Sequence, residues 1–281
     1  MNINKNWFVV LSLLPFVVSA SDIIKCKDIN GRTVFTQNKS DCAKDVELQS
    51  ALYSKNKPVL DKYQVSYRRP YRDYIRVQGK WGIHIEASLN AGDIDLYNAS
   101  LIKLTNVLDE VFSLLPSNAA DKLSGLKFYL LWGDKSPLGG RKSGMSYIRK
   151  GEPNNYSYLD KRWEHSVVIY NAENLMYLND LWSKKALMHE LAHARHITNW
   201  PERHAPIYDA WENIMNSDRY LKVKDIKGKI IKSAYARKNQ LEYFAELSAI
   251  YFVGGNYYPY NRKGLKQYDL AGYKMIEFLW R

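Results

Sequence analysis

The chain has 281 residues, of which 46% are hydrophobic and 14% aromatic, and its formal net charge is +12. This apolar content supports one main domain of roughly 200 residues plus a small one. The lysines and arginines are scattered rather than gathered in one block, which indicates a solvated basic surface with acidic polymers or anionic envelope surfaces as the alternative partners. The sequence has no zinc-finger spacing, RNA-binding aromatic motif or basic heptad pattern, so we expect no specific nucleic-acid partner.

Residues 1–20 have the pattern of a secretory signal peptide. Lys5 precedes an apolar run from Phe8 to Val18, and Val18-Ser19-Ala20 fits the small-residue cleavage pattern. The apolar run is shorter than the ~20 residues that a membrane-spanning helix needs. We therefore expect export, with an uncleaved N-terminal anchor as the alternative, and no membrane-spanning segment after cleavage.

Residues 21–45 are predicted to form a small disulfide-stapled β-module. Two β-prone runs within residues 23–36 flank a turn at Asn30-Gly31, which predicts a hairpin. Cys26 and Cys42 are the two cysteines of the chain, and we expect them to pair in an oxidising compartment.

The same segment carries the pattern Ile24-x-Cys26-x-Asp28-x-x-Gly31-x-x-x-Phe35. It resembles a small secreted module of unknown function that is common in envelope proteins of Gram-negative bacteria. The resemblance implies a periplasmic or extracellular location and says nothing about activity.

The rest of the chain is predicted to be a linker or strap over residues 46–75 and an α+β domain over residues 76–281. The alternation of apolar residues and their helical spacing predict strands at 81–87, 126–132 and 165–170 and a helix at 98–115. The glycine- and proline-rich stretch 133–160 is predicted to be a long loop, of the kind that often forms a lid or binding loop.

The strongest chemical signal is the sequence His189-Glu190-Leu191-Ala192-His193, an H-E-x-x-H motif. Histidines four residues apart lie on one face of a helix, so both imidazoles can reach one zinc ion. Glu190 is then placed to accept a proton from water. We expect this helix to begin near Ser183 and to end at Trp200-Pro201.

A catalytic zinc of this kind needs a third protein ligand. His196 and Asn199 stand where a metzincin would have glycine and histidine, so that class is excluded. Glu242 is the favoured ligand, because Glu242 and Glu246 share one face of an otherwise apolar helix and a cation would relieve their repulsion. Glu246 would then accept a hydrogen bond from a ligating histidine. The alternatives are Glu212, and less favoured His204 and Asp209.

The segment from Ser233 to Glu246 resembles the C-terminal segment of lethal-factor-like metallopeptidases, a gluzincin group. The resemblance rests on Tyr235, seven residues before Glu242, and on the frame Glu242-Tyr243-Phe244-Ala245-Glu246. It implies a zincin-like fold, with a mixed sheet, an active-site helix and a helical C-terminal half. It also implies zinc ligation by His189, His193 and Glu242, general-base duty for Glu190 and transition-state hydrogen bonding by Tyr235.

We therefore expect an exported zinc-dependent endopeptidase that binds one Zn²⁺ and cleaves peptide or protein substrates, among which cell-wall peptides stay open. An extended substrate is expected to pair with the strand that ends at Tyr170, taken as a sheet edge. Two other hypotheses stay open, a catalytically silent zinc- or peptide-binding envelope protein and a basic cell-wall or nucleic-acid-binding protein.

Overall fold

The computed structural model describes residues 24–27, 33–36 and 71–281 of the chain. The chain divides into two compact units, Met1–Tyr67 and Arg68–Arg281. The predicted signal peptide and Cys42, one half of the predicted disulfide, lie outside the described residues. In the first unit, β1 (Ile24–Lys27) and β2 (Thr33–Thr36) pair antiparallel, in agreement with the hairpin prediction.

The second unit combines strands and helices along its whole length. Its strands are β3 (Tyr74–Arg76), β4 (Gly82–Glu86), β5 (Lys127–Leu130), β6 (Met145–Ile148), β7 (Ser166–Ile169), β8 (Leu221–Lys224) and β9 (Ile230–Ser233). Its α-helices are α1 (Ala87–Gly92), α2 (Ile94–Ser113), α3 (Ser117–Leu123), α4 (Glu152–Asn155), α5 (Ala172–Tyr177), α6 (Asp180–Asn199), α7 (Ala205–Met215), α8 (Gln240–Phe252), α9 (Arg262–Tyr268) and α10 (Leu270–Leu279). The α+β class is confirmed, and β3 (Tyr74–Arg76) crosses the boundary that was predicted between residues 75 and 76.

Five strands form one mixed sheet in the order β3-β4-β5-β7-β6. The central strands β4, β5 and β7 run parallel, whereas β3 and β6 pair antiparallel at the two edges. β7 has the continuous apolar run Val167-Val168-Ile169, and all three side chains are buried, as expected for a strand covered on both faces. The expectation that the strand ending at Tyr170 is a sheet edge is therefore wrong, because β6 lies outside it.

β6 and α4 lie within the stretch 133–160 that was predicted to be one long loop, so that prediction is wrong in part. Alternate residues of the sheet enter two separate cores. Phe128 and Val167 belong to the larger core, which α2, α6 and α8 complete, whereas Tyr129 and Val168 belong to a smaller core with Trp163. This alternation follows from the two-residue period of side chains along a strand.

The H-E-x-x-H motif lies in the middle of α6, which packs against α8. The sequence places Leu187, Leu191, Ala194 and Thr198 at i, i+4, i+7 and i+11, which predicts a packed face; the first three are fully buried, whereas Thr198 is exposed. The helix begins at Asp180, where the Asn179 side chain accepts a hydrogen bond from the backbone N–H of Trp182. The predicted start at Ser183 is therefore wrong, since Ser183 is buried within the first turns. The helix ends at Asn199, before Pro201, as predicted.

Within the described part of the chain, none of the helices is both long and apolar enough to cross a bilayer.

Candidate metal centre and active-site cleft

Three side chains from two packed helices meet at one point. His189 and His193 project from the same face of α6, and Glu242 comes from the first turn of α8. The two Nε2 atoms lie 3.1 Å apart, and Glu242 Oε2 lies 3.1 Å from Nε2 of His189 and 3.3 Å from Nε2 of His193. Within the described residues, these three side chains form a cluster that could hold a metal ion.

The backbone start of α8 fixes the direction of Glu242. The Asn239 side chain caps the helix by accepting a hydrogen bond from the backbone N–H of Glu242, at 2.9 Å. Glu242 and Glu246 are one turn apart, so both carboxylates face α6. Neither is exposed on a solvated helix face, since Glu246 is 3% exposed and the Glu242 side chain 12%.

Glu246 lies on the other side of the His189 ring, where it contacts Nδ1 at 2.9 Å. A carboxylate at this position requires a proton on Nδ1, which leaves the lone pair of Nε2 directed at His193 and Glu242. The contact therefore selects the tautomer that metal binding needs. The position of Glu246 agrees with the role that the sequence indicated.

Two further groups hold the Glu246 carboxylate in place. Lys185 Nζ lies 2.9 and 3.0 Å from its two oxygens, and the Tyr257 hydroxyl donates to Oε2 at 2.7 Å. Neither group was predicted from the sequence. Lys185 stands one helical turn before His189, which is a signal that could have been used, whereas nothing local links Tyr257 to the site.

The groups around Glu242 and Glu246 favour the anionic form of both carboxylates. Burial would raise the pKa of Glu246, but the charge of Lys185 and the hydrogen bond from His189 lower it to about 2. Burial would likewise raise the pKa of Glu242, but hydrogen bonds from His189, His193 and Lys238 hold it well below its ordinary value. Burial would lower the pKa of His189, and its hydrogen bonds to the two carboxylates raise it to about 10.

The cluster fits a cation on the chemistry of its donor atoms. With Nδ1 of His189 facing Glu246, the imidazole nitrogens and the Glu242 oxygen turn toward one another within 3.3 Å. Electron-rich atoms this close require a proton or a cation between them. The raised pKa of His189 shows that the centre attracts positive charge, and a bound cation would supply it in place of the proton.

Glu190 lines a cleft of about 310 Å³ next to the cluster. Its Oε2 accepts a hydrogen bond of 2.7 Å from the backbone N–H of Tyr147 in β6. Because that N–H points at Glu190, it does not pair with β7, and Tyr147 therefore turns its backbone toward the cleft. Glu190 lies beside the histidines as predicted, whereas the strand that borders the cleft is β6 and not residues 165–170, which were expected to be the substrate-pairing edge.

Tyr235 begins a short 3₁₀ turn, Tyr235–Arg237, at the rim of the same cleft. Its hydroxyl donates to Glu242 Oε1 at 2.9 Å, and Lys238 Nζ lies 2.8 Å from the same hydroxyl oxygen. Burial is the largest cause of the raised pKa of Tyr235, so the phenol stays protonated at neutral pH and can donate. Lys238, which also contacts Glu242 Oε1 at 2.9 Å, was missed by the sequence analysis.

The alternative ligands do not join the cluster in the described residues. Glu212 lies on α7, where Tyr208 donates to its carboxylate at 3.4 Å. The His204 ring stacks on Trp200 with 5.2 Å between centroids. His196, at the position that excluded the metzincin class, is fully buried and contacts the rings of Phe244 and Trp200.

No protein-family model matches this chain, and no curated protein matches it. The resemblance to lethal-factor-like metallopeptidases therefore stays a prediction that rests on the residues of the site.

Proposed function

We propose that this protein is an exported zinc-dependent endopeptidase of the lethal-factor-like kind, with His189, His193 and Glu242 as zinc ligands. The convergence of these three side chains beside Glu190 is the observation that carries the proposal. Ligand atoms about 2.0–2.1 Å from a tetrahedral ion lie about 3.3 Å from one another, and two histidines with a glutamate are a catalytic zinc set. The three distances between the donor atoms, 3.1, 3.1 and 3.3 Å, support this geometry.

Zinc, when bound, would supply a Lewis acid that acidifies water and polarises the scissile carbonyl. Glu190 accepts a proton from the attacking water and returns it to the nitrogen that leaves when the peptide C–N bond breaks. Its contact with the Tyr147 N–H involves Oε2, so Oε1 is the oxygen available for this proton. The Tyr235 hydroxyl donates to the oxyanion that forms on the substrate carbonyl.

The free edge of β6 supports an extended peptide as substrate. Gly144 and the alternate residues Ser146 and Ile148 turn their backbone groups toward β7, as the bond from Tyr170 N to Gly144 O shows. Met145 and Tyr147 therefore direct theirs toward the cleft, and because the Tyr147 N–H donates to Glu190, a peptide would pair with the backbone of Met145 and the Tyr147 carbonyl. A peptide can add to this edge by main-chain hydrogen bonds, which bring its carbonyl between Glu190 and Tyr235.

The proposal is tested by Glu190→Gln in the purified chain, with a peptide library that includes cell-wall peptides as substrate. We expect wild-type cleavage that stops when a chelator is added, and no cleavage by the variant although its zinc content is unchanged. Glu152→Gln is the matched control, because Glu152 lines the same cleft but contacts the backbone N–H of Arg149.

Full activity of Glu190→Gln would rule out the assigned mechanism. A wild-type chain that binds zinc and peptides without cleaving them would instead identify a catalytically silent binding protein. A third outcome would support the basic polymer-binding hypothesis. The chain would bind acidic polymers without cleaving peptides, its affinity would fall as the salt concentration rises, and a chelator would not change that affinity.

A further inference from the structure

The antiparallel hairpin β8–β9, residues 221–233, lies outside the metal centre and is strongly basic. We call it the basic hairpin. Its five lysines are all exposed: Lys222, Lys224, Lys227, Lys229 and Lys232. Its single acidic residue is Asp225.

The hairpin has no internal neutralisation of this charge. Within residues 71–281, none of the five lysines forms an ion pair with a carboxylate. The Asp225 carboxylate accepts the backbone N–H groups of Lys227 and Lys229, at 2.9 and 2.8 Å, and is thereby committed to the turn. The lysine ammonium groups are therefore open to an anionic partner.

Two isoleucines are exposed among these lysines. Ile226, within the turn, is 49% exposed, and Ile230, the first residue of β9, is 48% exposed. Lys224 lies directly opposite Ile230 in the strand pairing, whereas Val223, on the other face, is buried. The outer end of the hairpin thus combines two half-exposed isoleucine side chains with several exposed lysines.

The tip is held in one conformation by backbone contacts. Asp225 N donates to Lys229 O at 2.9 Å, and Gly228, at φ +80°, donates to Asp225 O at 2.9 Å. Ile226 N also donates to Asn256 O at 2.9 Å, which ties the turn to the body of the domain. A tip that is already ordered loses little conformational freedom when it binds a surface.

We propose that the basic hairpin docks this protein on the surface of a bilayer that contains anionic phospholipid. A lysine near such a surface strengthens binding about fivefold, and apolar side chains gain by entering the boundary between headgroups and acyl chains. This partner uses both features of the tip, whereas a phosphate backbone alone would leave the isoleucines in water.

Nucleic acid is the less favoured partner because residues 221–233 themselves contain no aromatic or arginine side chain. The neighbouring Tyr260 ring is 37% exposed, and its hydroxyl donates to the Lys224 carbonyl at 3.2 Å. The adjacent Arg219 is committed to the carbonyl of Tyr268 at 3.0 Å, and Tyr220 is fully buried. Single-stranded nucleic acids are typically held by exposed aromatic rings together with cations. Apolar side chains beside several lysines are typical of lipid contact instead.

Docking would hold the cleft close to the bilayer. β9 ends at Ser233, two residues before Tyr235, so the base of the hairpin lies within about 7 Å of the cleft rim along the chain. The tip at Ile230 lies about 10 Å farther, at the other end of β9. The inference goes beyond the proposed function, since it concerns where the protein acts and holds whether or not the cleft is catalytic.

The test measures binding of the mature chain, beginning at Ser21, to vesicles of phosphatidylcholine alone and of phosphatidylcholine with phosphatidylglycerol. We expect binding to the anionic vesicles only. The double variant Lys227→Glu with Lys229→Glu should weaken it by at least about 25-fold. Ile226→Ser with Ile230→Ser should weaken it about tenfold. All four side chains are exposed, so the melting temperature should not change.

The matched control is Lys263→Glu with Lys274→Glu, two exposed lysines on α9 and α10 that alter the net charge equally. Equal weakening by this control would show a response to overall charge and overturn the proposal. Unchanged binding after the isoleucine replacements would overturn lipid insertion. Tighter binding to duplex or single-stranded DNA than to anionic vesicles would overturn the proposal and identify the basic hairpin as a nucleic-acid-binding surface.

Discussion

Lys185 and Glu246 form a buried ion pair directly behind the His189 ring. Lys185 Nζ lies 2.9 and 3.0 Å from the two carboxylate oxygens, and the side chains are 8% and 4% exposed. A lysine at this position keeps Glu246 anionic, and an anionic Glu246 keeps the Nε2 lone pair of His189 directed at the metal position. The ion pair between α6 and α8 thus helps to orient the His189 ring toward the proposed metal position.

We expect Lys185→Met to weaken zinc binding by about 10- to 100-fold, the usual effect of losing a partner of a ligating histidine. The variant also leaves a buried carboxylate without its cation, which should reduce the free energy of unfolding by about 3–5 kcal/mol. Zinc titration and denaturant unfolding measure the two effects. Lys184→Met is the control, because Lys184 pairs with the exposed carboxylates of Glu110 and Asp180, away from Glu246. Wild-type zinc affinity in Lys185→Met would contradict this role.

The identity of the third ligand is tested by Glu242→Gln against Glu212→Gln. Glu242→Gln removes a ligand and should cost more than about 100-fold in zinc affinity, since an outer partner alone is worth 10- to 100-fold. Glu212→Gln should leave the affinity unchanged, because Glu212 lies on α7 with Tyr208 as its partner. Isothermal titration with zinc compares the two. The reverse result would identify Glu212 as the ligand.

Tyr235→Phe should lower kcat about 100-fold, which is the usual loss when one oxyanion donor is removed. Zinc affinity should change little, because the hydroxyl contacts Glu242 Oε1 whereas the cluster uses Oε2. Cleavage rates measured at peptide concentrations below and above KM separate the effect on kcat from the effect on KM. Tyr177→Phe, at a side chain that is 85% exposed, serves as the control. An unchanged kcat in Tyr235→Phe would exclude the transition-state role.

His196 makes the stability of the fold depend on pH. The side chain is fully buried, and burial lowers its pKa to about 4, compared with 6.5 for an exposed histidine. Because the folded-state pKa is the lower one, the unfolded chain takes up a proton first as the pH falls. The stabilisation is therefore complete above pH 6.5 and is lost progressively as the pH falls from 6.5 to about 4.

The loss amounts to about 3 kcal/mol at most, at 1.36 kcal/mol for each pH unit of the shift. Urea unfolding of the metal-free protein between pH 4 and pH 7 measures it. His196→Leu should flatten this part of the pH dependence more than His204→Leu does, because burial also lowers the pKa of the half-buried His204 but by a smaller shift. A pH profile of His196→Leu equal to that of the wild type would show that another group is responsible.

The position of β6 illustrates what sequence pattern alone left undecided. Met145–Ile148 has four residues within a stretch rich in glycine and proline, which is too short for a periodic signal. Its pairing with β7 creates the strand. The run Val167-Val168-Ile169 did carry a signal, because a continuous apolar strand is typical of a sheet interior rather than an edge.

The start of α6 shows a competition between two local signals. Ser183 and Asn179 are both residue types that cap helices, and each precedes part of the apolar pattern. The structure uses Asn179, and the added turn places Ser183, which is 1% exposed, inside the domain. Tertiary burial therefore decided a boundary that capping preference alone left open.

The sequence by itself determined that His189, Glu190 and His193 share one region of one helix. That relationship is local, because residues four apart in any α-helix lie on the same face. The meeting with Glu242 depends on how α6 packs against α8, more than fifty residues later in the chain. Only the tertiary structure decided the partners of Glu246, the strand that faces Glu190 and the contact of Tyr235 with Glu242, since these distances are set by core packing rather than by sequence spacing.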